Sequence, residues 1–474
     1  MRQMHPLTRR QILQRSGAGF GSLALQSLLG ADGVLSSTNP LAPRAPHFAP
    51  KAKSVIFLFM YGGPSHVDLL DPKPELAKWH GKAIPVWKPE DAFMGKKTKN
   101  VAMQSYYRFA KHGQAGIDMA ETFPNLARHA DDLCVIRSMH AESNNHGPAI
   151  FQMNTGFILP GRPCMGSWAT YGLGSESENL PAFVVLLDHQ GAPVNGALNW
   201  SNGFMPAAYQ GVPFRSSGEP IAYLTPPNNV SRAQQRARLD LLKQWNTEFA
   251  AANPAETQLA ARINTYELAY RMQMSASECT DLSREPESVR KMYGLDNKVT
   301  AHFGKNCLLA RRLVERGVRY VQVLNAGQSW DQHGSLITAL PKNCEATDQP
   351  SSALISDLKQ RGLLDTTVVH WGGEMGRLPV LQNDAGREKW GRDHNTYGFS
   401  MWVAGGGFKK GYVHGETDEF GHKAVIDEVK HFDYHATLLK LFGLDHSKLT
   451  YKRNGLAASL TDNQGAKVVD QLIA

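Results

Sequence analysis

Val318-Arg319-Tyr320-Val321-Gln322-Val323-Leu324-Asn325 has the β-branched and aromatic composition of a buried strand, and the loop after it carries Asp331 and His333. The arrangement returns twice. Residues 366–371 read as a strand that ends just before Glu374, and residues 399–404 as a strand that begins just after Asp393 and His394. Helical patterns separate the first two: Phe303, Cys307, Ala310 and Val314 share one helix face before 318, and Leu354, Ile355 and Leu358 share another before 366. Helix then strand, repeated, predicts an α/β fold with a mostly parallel sheet covered by helices on both faces. In such a sheet ligands bind at the carboxyl ends of the strands, where the strand fixes a side chain and the following loop exposes it. Carboxylates and imidazoles converging on that rim suit a divalent cation, so Asp331, His333, Glu374 and His394 are the expected ligands. Zinc is the first candidate, with manganese, magnesium and calcium as alternatives.

Outward from this region, residues 54–60 form an unbroken apolar run suited to a central parallel strand, ended sharply by Gly62-Gly63-Pro64. A polar, basic stretch at 88–111 reads as a surface excursion. A helix is expected at 124–131, strands at 133–139 and 183–188, and a last helix at 433–442, capped by Asp433 and stopped by Gly443. Between about 231 and 300 the pattern changes to polar helices, one lined by Leu239, Leu242 and Trp245, another by Leu259, Ile263, Leu268 and Tyr270. This predicts a helical insertion on one domain spanning 54–474.

The 474 residues are 42% hydrophobic and 20% charged, an ordinary globular composition with room for a large core. Of the net charge of +8, the first 37 residues hold +3 (Arg2, Arg9, Arg10 and Arg15 against Asp32), so the remainder carries about +5. That surplus demands no nucleic-acid partner, and it favours anionic substrates. Arg9 and Arg10 precede a weakly apolar stretch at 17–29 that is too short, and too rich in Gly and Ser, to span a bilayer stably. Residues 1–37 therefore read as a twin-arginine signal, followed by a Pro- and Ala-rich linker at 38–53. The translocation machinery is then a partner and the periplasm the expected destination. Cys134, Cys164, Cys279, Cys307 and Cys344 are scattered, without a CxxC pair, which argues against a zinc–thiolate cluster. Cys134 and Cys307 read as small buried hydrophobes, and an exported chain leaves room for one disulfide.

Four motifs together carry a resemblance. Phe59-Met60-Tyr61-Gly62-Gly63-Pro64-Ser65-His66-Val67-Asp68-Leu69-Leu70-Asp71-Pro72-Lys73-Pro74 resembles the opening of an uncharacterised bacterial family with twin-arginine leaders, domain of unknown function fifteen-oh-one. Trp371-Gly372-Gly373-Glu374-Met375-Gly376-Arg377, Gly391-Arg392-Asp393-His394-Asn395 and Thr417-Asp418-Glu419-Phe420-Gly421 are similar to later motifs of that family. The family is grouped with the alkaline phosphatase and sulfatase superfamily, which implies a two-metal site on the carboxyl edge of the sheet. By that resemblance Asp331, His333 and His394 hold one metal, and Glu374 stands where the superfamily has Asp. Met375 stands where a ligand His is usual and cannot replace it as a ligand to a hard metal. The Asp expected directly after the first strand is missing, and Asp68 is the favoured substitute. The formylglycine signature of sulfatases is absent, and Gly455-Leu456-Ala457-Ala458 departs from the family's usual loop near the end.

A cation held by such ligands polarises a phosphoryl or sulfuryl oxygen and lowers the pKa of bound water from about 16 towards 7. Ser143-Asn144-Asn145-His146-Gly147 lies in the region where, by that resemblance, the superfamily places a nucleophile at a helix start whose amides favour an anion; His146 is a candidate ligand or acid there, and Asn145 a candidate to hold a substrate oxygen. Ser65 is the rival, and direct attack by metal hydroxide needs neither. Asp393 is expected to orient His394. Two functions follow: an exported metal-dependent hydrolase of phosphate or sulfate esters, or a catalytically inactive binding or scaffold protein that keeps the fold.

Overall fold

The computed structural model describes residues 39–474 except 86, 94, 96–97, 216–229, 253–265, 268–269, 273–277, 326 and 383–384. The expected twin-arginine leader and most of the expected second insertion helix (Leu259, Ile263, Leu268) lie outside the described residues.

The core is one mixed sheet. In chain order its strands are β1 (Ser54–Met60), β2 (Leu133–His140), β3 (Phe183–Leu186), β4 (Val212–Phe214), β5 (Tyr320–Asn325), β6 (Thr367–Gly372), β7 (Phe399–Ala404), β8 (Tyr412–His414) and β9 (Val429–Lys430). Across the sheet they run β8-β2-β7-β6-β1-β5-β3-β4, with β9 also pairing to β2. Every pairing is parallel except those of β7, which is antiparallel to β6 and to β2. The mostly parallel α/β expectation therefore holds, and the expected strands shift by at most two residues at their ends. The short strands β4, β8 and β9 carry no comparable apolar run and were not anticipated.

Strand side chains alternate between faces, and the two faces bury different helices. Ile56, Leu58 and Met60 of β1 pack with Phe303, Cys307 and Leu313 of α4 (Ala301–Glu315) and with Leu354 and Leu358 of α5 (Leu336–Gln360). Val55, Phe57 and Phe59 face the other way. They join Ile150 of α1 (His146–Thr155), Trp168 of α2 (Met165–Leu173) and Leu438 of α6 (His431–Leu441). The polar helix α3 (Arg232–Ala252) is the described part of the insertion. Asp433 is the third residue of α6 and caps its start from there, accepting from the Lys430 amide at 3.3 Å. Gly443 follows the helix with φ of +75°, as a stop residue should. The stretch 124–131 forms a 3-10 helix, Leu126–Asp132, instead of an α-helix. All five cysteines are buried and free, so the disulfide allowed by the sequence is not formed.

The reversal of β7 decides what reaches the rim. Among the described residues no long helix lies between β6 and β7, so the chain turns back at the carboxyl edge of β6 and descends. Residues just before β7 therefore share that edge with residues just after β1, β2, β5 and β6.

Candidate metal centre

Four side chains from three strand ends meet there. His146, Asp331, His333 and His394 each offer a ligand atom, and these atoms all lie within 4.8 Å of one another. Asp331 and His333 come from the loop after β5. This loop is folded by Asn325, whose Oδ1 accepts from the Trp330 indole at 2.7 Å, with Trp330 itself fully buried. His394 pairs with Arg377 in a two-residue antiparallel ladder before β7. His146 is the first residue of α1, after β2.

Asp331 is the hub. Its Oδ1 lies 3.0 Å from His333 Nε2 and 3.1 Å from His394 Nε2, and its Oδ2 lies 3.3 Å from His146 Nε2. Arg377, fully buried, donates to Oδ1 at 2.6 Å and to the carbonyls of Gly62 and Gly63. The opposite nitrogen of each imidazole meets an oxygen. His146 Nδ1 is 2.6 Å from Glu374 Oε1, His333 Nδ1 is 2.5 Å from Gln382 Oε1, and His394 Nδ1 is 2.6 Å from the Asn144 carbonyl. A carbonyl or carboxylate only accepts, so each Nδ1 carries its proton in the neutral ring and each Nε2 presents a lone pair to Asp331. Three imidazole lone pairs facing one carboxylate repel unless something positive, a proton or a cation, lies among them. His146 Nε2 is buried, and the polar atom it faces is Asp331 Oδ2. The donor set thus fits a divalent cation by its own geometry.

The titration behaviour has the same origin. Burial opposes ionisation of Asp331, but hydrogen bonds from the three histidines and the charge of Arg377 outweigh it and hold the carboxyl well below the ordinary range. Burial works against a charged His146, yet its bonds to Asp331 and Glu374 raise it to about 9. Burial dominates at His394 and lowers it to about 4; the bond to Asp331 resists, while Arg377 and the neighbouring imidazoles add to the lowering.

The other residues singled out in the sequence fall in different places. Glu374 lies behind His146, fixing its ring and accepting from the Gly62 amide at 3.0 Å, and is outside the group of four. Asp68 is fully buried in an ion pair with Arg392 at 2.7 Å and accepts from Ser65 Oγ at 2.6 Å. The geometry therefore leaves both Asp68 and Ser65 away from the four donors, locked in a structural network by Arg392. Asn145 caps α1 and accepts from the Gly147 amide at 3.2 Å. With that amide taken and Pro148 lacking one, the start of α1 offers little to an anion, contrary to the expectation from its position. Asp393 accepts from the His394 amide at 2.8 Å and from Thr98 Oγ1 at 2.5 Å, so it holds the backbone of His394. The sequence left His146 between ligand and acid, and gave no sign of the part that Arg377 and Gln382 play. Nor did it point to Phe93, whose half-exposed ring stacks on His394 with centroids 4.8 Å apart.

No curated protein matches the chain. Among solved structures it is similar to a sulfatase from Pseudoalteromonas sp., at 12% identity and TM-score 0.33 over 89% of this chain and 70% of that one. It is also similar to the lipoteichoic acid synthase LtaP from Listeria monocytogenes, at 9% identity and TM-score 0.37 over 89% and 78%. A third is an alkaline phosphatase from the Antarctic bacterium TAB5, at 9% identity and TM-score 0.31 over 78% and 97%. The family model described as protein of unknown function (DUF1501) matches residues 52–473, nearly the whole chain, and the chain belongs to that family.

Proposed function

We propose that the protein is an exported metal-dependent hydrolase of phosphate or sulfate esters. The observation that carries this is the set of three imidazole Nε2 atoms, each ring fixed from behind, turned on the single carboxylate of Asp331. His146, Asp331, His333 and His394 would hold the cation. When bound, a divalent ion there supplies Lewis acidity towards a phosphoryl or sulfuryl oxygen. The chain's own groups prepare the site. Glu374, Gln382 and the Asn144 carbonyl set the tautomers, and Arg377 keeps Asp331 ionised. The His333 side chain, 29% exposed, leaves one side open to a substrate, while Phe93 covers a face of His394. Export rests on Arg9 and Arg10 and the apolar stretch after them. Among the described residues no helix is long and apolar enough to cross a membrane.

A catalytically inactive scaffold is the second reading, favoured by the locking of Ser65 and Asp68 into the Arg392 network. Purified mature protein, assayed for metal and for turnover of aryl phosphate, phosphodiester and sulfate esters, separates the two. The hydrolase reading expects an ion at these four side chains and turnover of one ester class, with that ion and the turnover lost in Asp331→Ala. Metal without turnover leaves the scaffold, and a protein that takes up no metal sinks the hydrolase.

A further inference from the structure

Asp188, His189 and His302 form a second group of donors that the hydrolase site does not use, with ligand atoms again within 4.8 Å of one another. Asp188 follows β3 and is 4% exposed, a carboxylate held by the strand at the same carboxyl edge. His189 Nδ1 lies 2.9 Å from Asp188 Oδ1, and His302 Nε2, from the first turn of α4, lies 3.6 Å from Oδ2. The two imidazoles sit edge to face with centroids 4.4 Å apart. The side chains of His189 and His302 are 57% and 28% exposed, so an ion can reach them from solvent.

We propose that Asp188, His189 and His302 bind a second transition-metal ion that clamps the loop after β3 to the start of α4. Two imidazoles and one carboxylate suit zinc, nickel or copper over magnesium or calcium, and three protein ligands leave a fourth position for water. The ion replaces the present contact between the His189 amide and His302 Nε2, 3.1 Å long. The clamped loop touches the first site at three places. Gln190 packs so closely on Gly327, in the loop leading to Asp331, that a Cβ there would lie 1.8 Å from its Oε1. The Val194 amide donates to the Tyr61 hydroxyl at 3.4 Å, and Asn195 Nδ2 donates to the Gly147 carbonyl at 2.9 Å, beside His146. Its role is to steady the rim from outside the donor set.

The test is zinc stoichiometry after equilibration and desalting, on wild type, His302→Ala, His189→Ala and Asp331→Ala, with thermal melts with and without zinc. Both imidazoles are solvent-exposed, so the two histidine variants fold as wild type does, which the zinc-free melts verify. The proposal expects each histidine variant to bind one ion fewer than wild type and to lose part of the zinc-induced rise in Tm, while Asp331→Ala keeps one ion. Histidine variants that retain the full wild-type stoichiometry overturn it. Loss of an ion only in Asp331→Ala overturns this clamp and leaves the hydrolase site standing; loss only in the histidine variants does the reverse.

Discussion

Asp331 is surrounded by more donors than an isolated carboxylate needs, and the fixed rings of its neighbours are the reason it reads as a ligand. Glu374 contributes from behind by holding His146. Glu374→Gln keeps an acceptor for Nδ1 but removes the charge, so zinc affinity at the first site should fall by about 10- to 100-fold with stoichiometry unchanged. Competition with a chromogenic chelator measures this, and an unchanged affinity contradicts the orienting role. In the metal-free protein His146 is held protonated to about pH 9 by Asp331 and Glu374 despite its burial. Zinc uptake at pH 7 must then expel that proton, and affinity should rise by about tenfold per pH unit up to pH 9. Calorimetry in buffers of different ionisation enthalpy, on a His302→Ala background, should register about one proton released. None released would show that His146 stays outside the site. The convergence of Asp331, His333 and His394 was legible from the sequence because each flanks a strand. The place of His146 was not, since β2 lies across β7, β6 and β1 from β5 and strand order is not written in apolar spacing. Nor could spacing reveal that Arg392, distant in sequence, neutralises Asp68.

At the level of elements, the turn after β1 presses on the turn after β5. Gly62 has φ of +117°, and a Cβ on it would lie 2.3 Å from the Asp331 amide. Gly391 meets the carbonyl carbon of His333 at 2.3 Å in the same sense. Gly62→Ala should therefore displace the Asp331 loop, lowering zinc affinity at the first site by at least about tenfold, as a misplaced ligand does. Equilibrium dialysis checks it, and wild-type affinity would mean the loop is placed independently of that turn. The apolar runs of β1 and β7 showed their full extent in sequence because both faces of these strands are buried. The direction of β7 was not visible, because it depends on what the chain does between residues 373 and 398, where short elements replace a crossover helix. Yet that reversal is what lets a residue preceding a strand share a rim with residues following others.

Across the molecule, two helical layers bury a sheet that also encloses neutral histidines. Burial, with His435 nearby, lowers His431 to about 3, and burial lowers His435 to about 4. The unfolded chain protonates them near 6.5, so below that pH it binds more protons than the folded one. Their contribution is present in full above 6.5 and is lost as pH falls towards 4 and then 3, at up to about 1.4 kcal/mol per pH unit for each ring. Denaturant melts between pH 7 and pH 4 should show midpoints falling steadily, less so in His435→Gln. A flat profile would mean that these rings titrate alike in both states. The α/β class and the carboxyl-edge location of the site followed from alternating helix and strand patterns, whereas the edge strands β4, β8 and β9 are too short for pattern to detect.

The most direct measurement is the anomalous scattering of crystals soaked in zinc, recorded at the zinc edge. The account predicts a peak bonded, at about 2.0 to 2.2 Å, to His146, His333 and His394 through Nε2 and to Asp331 through a carboxylate oxygen. A soaked crystal with no density among those four side chains, whatever it binds elsewhere, would contradict it.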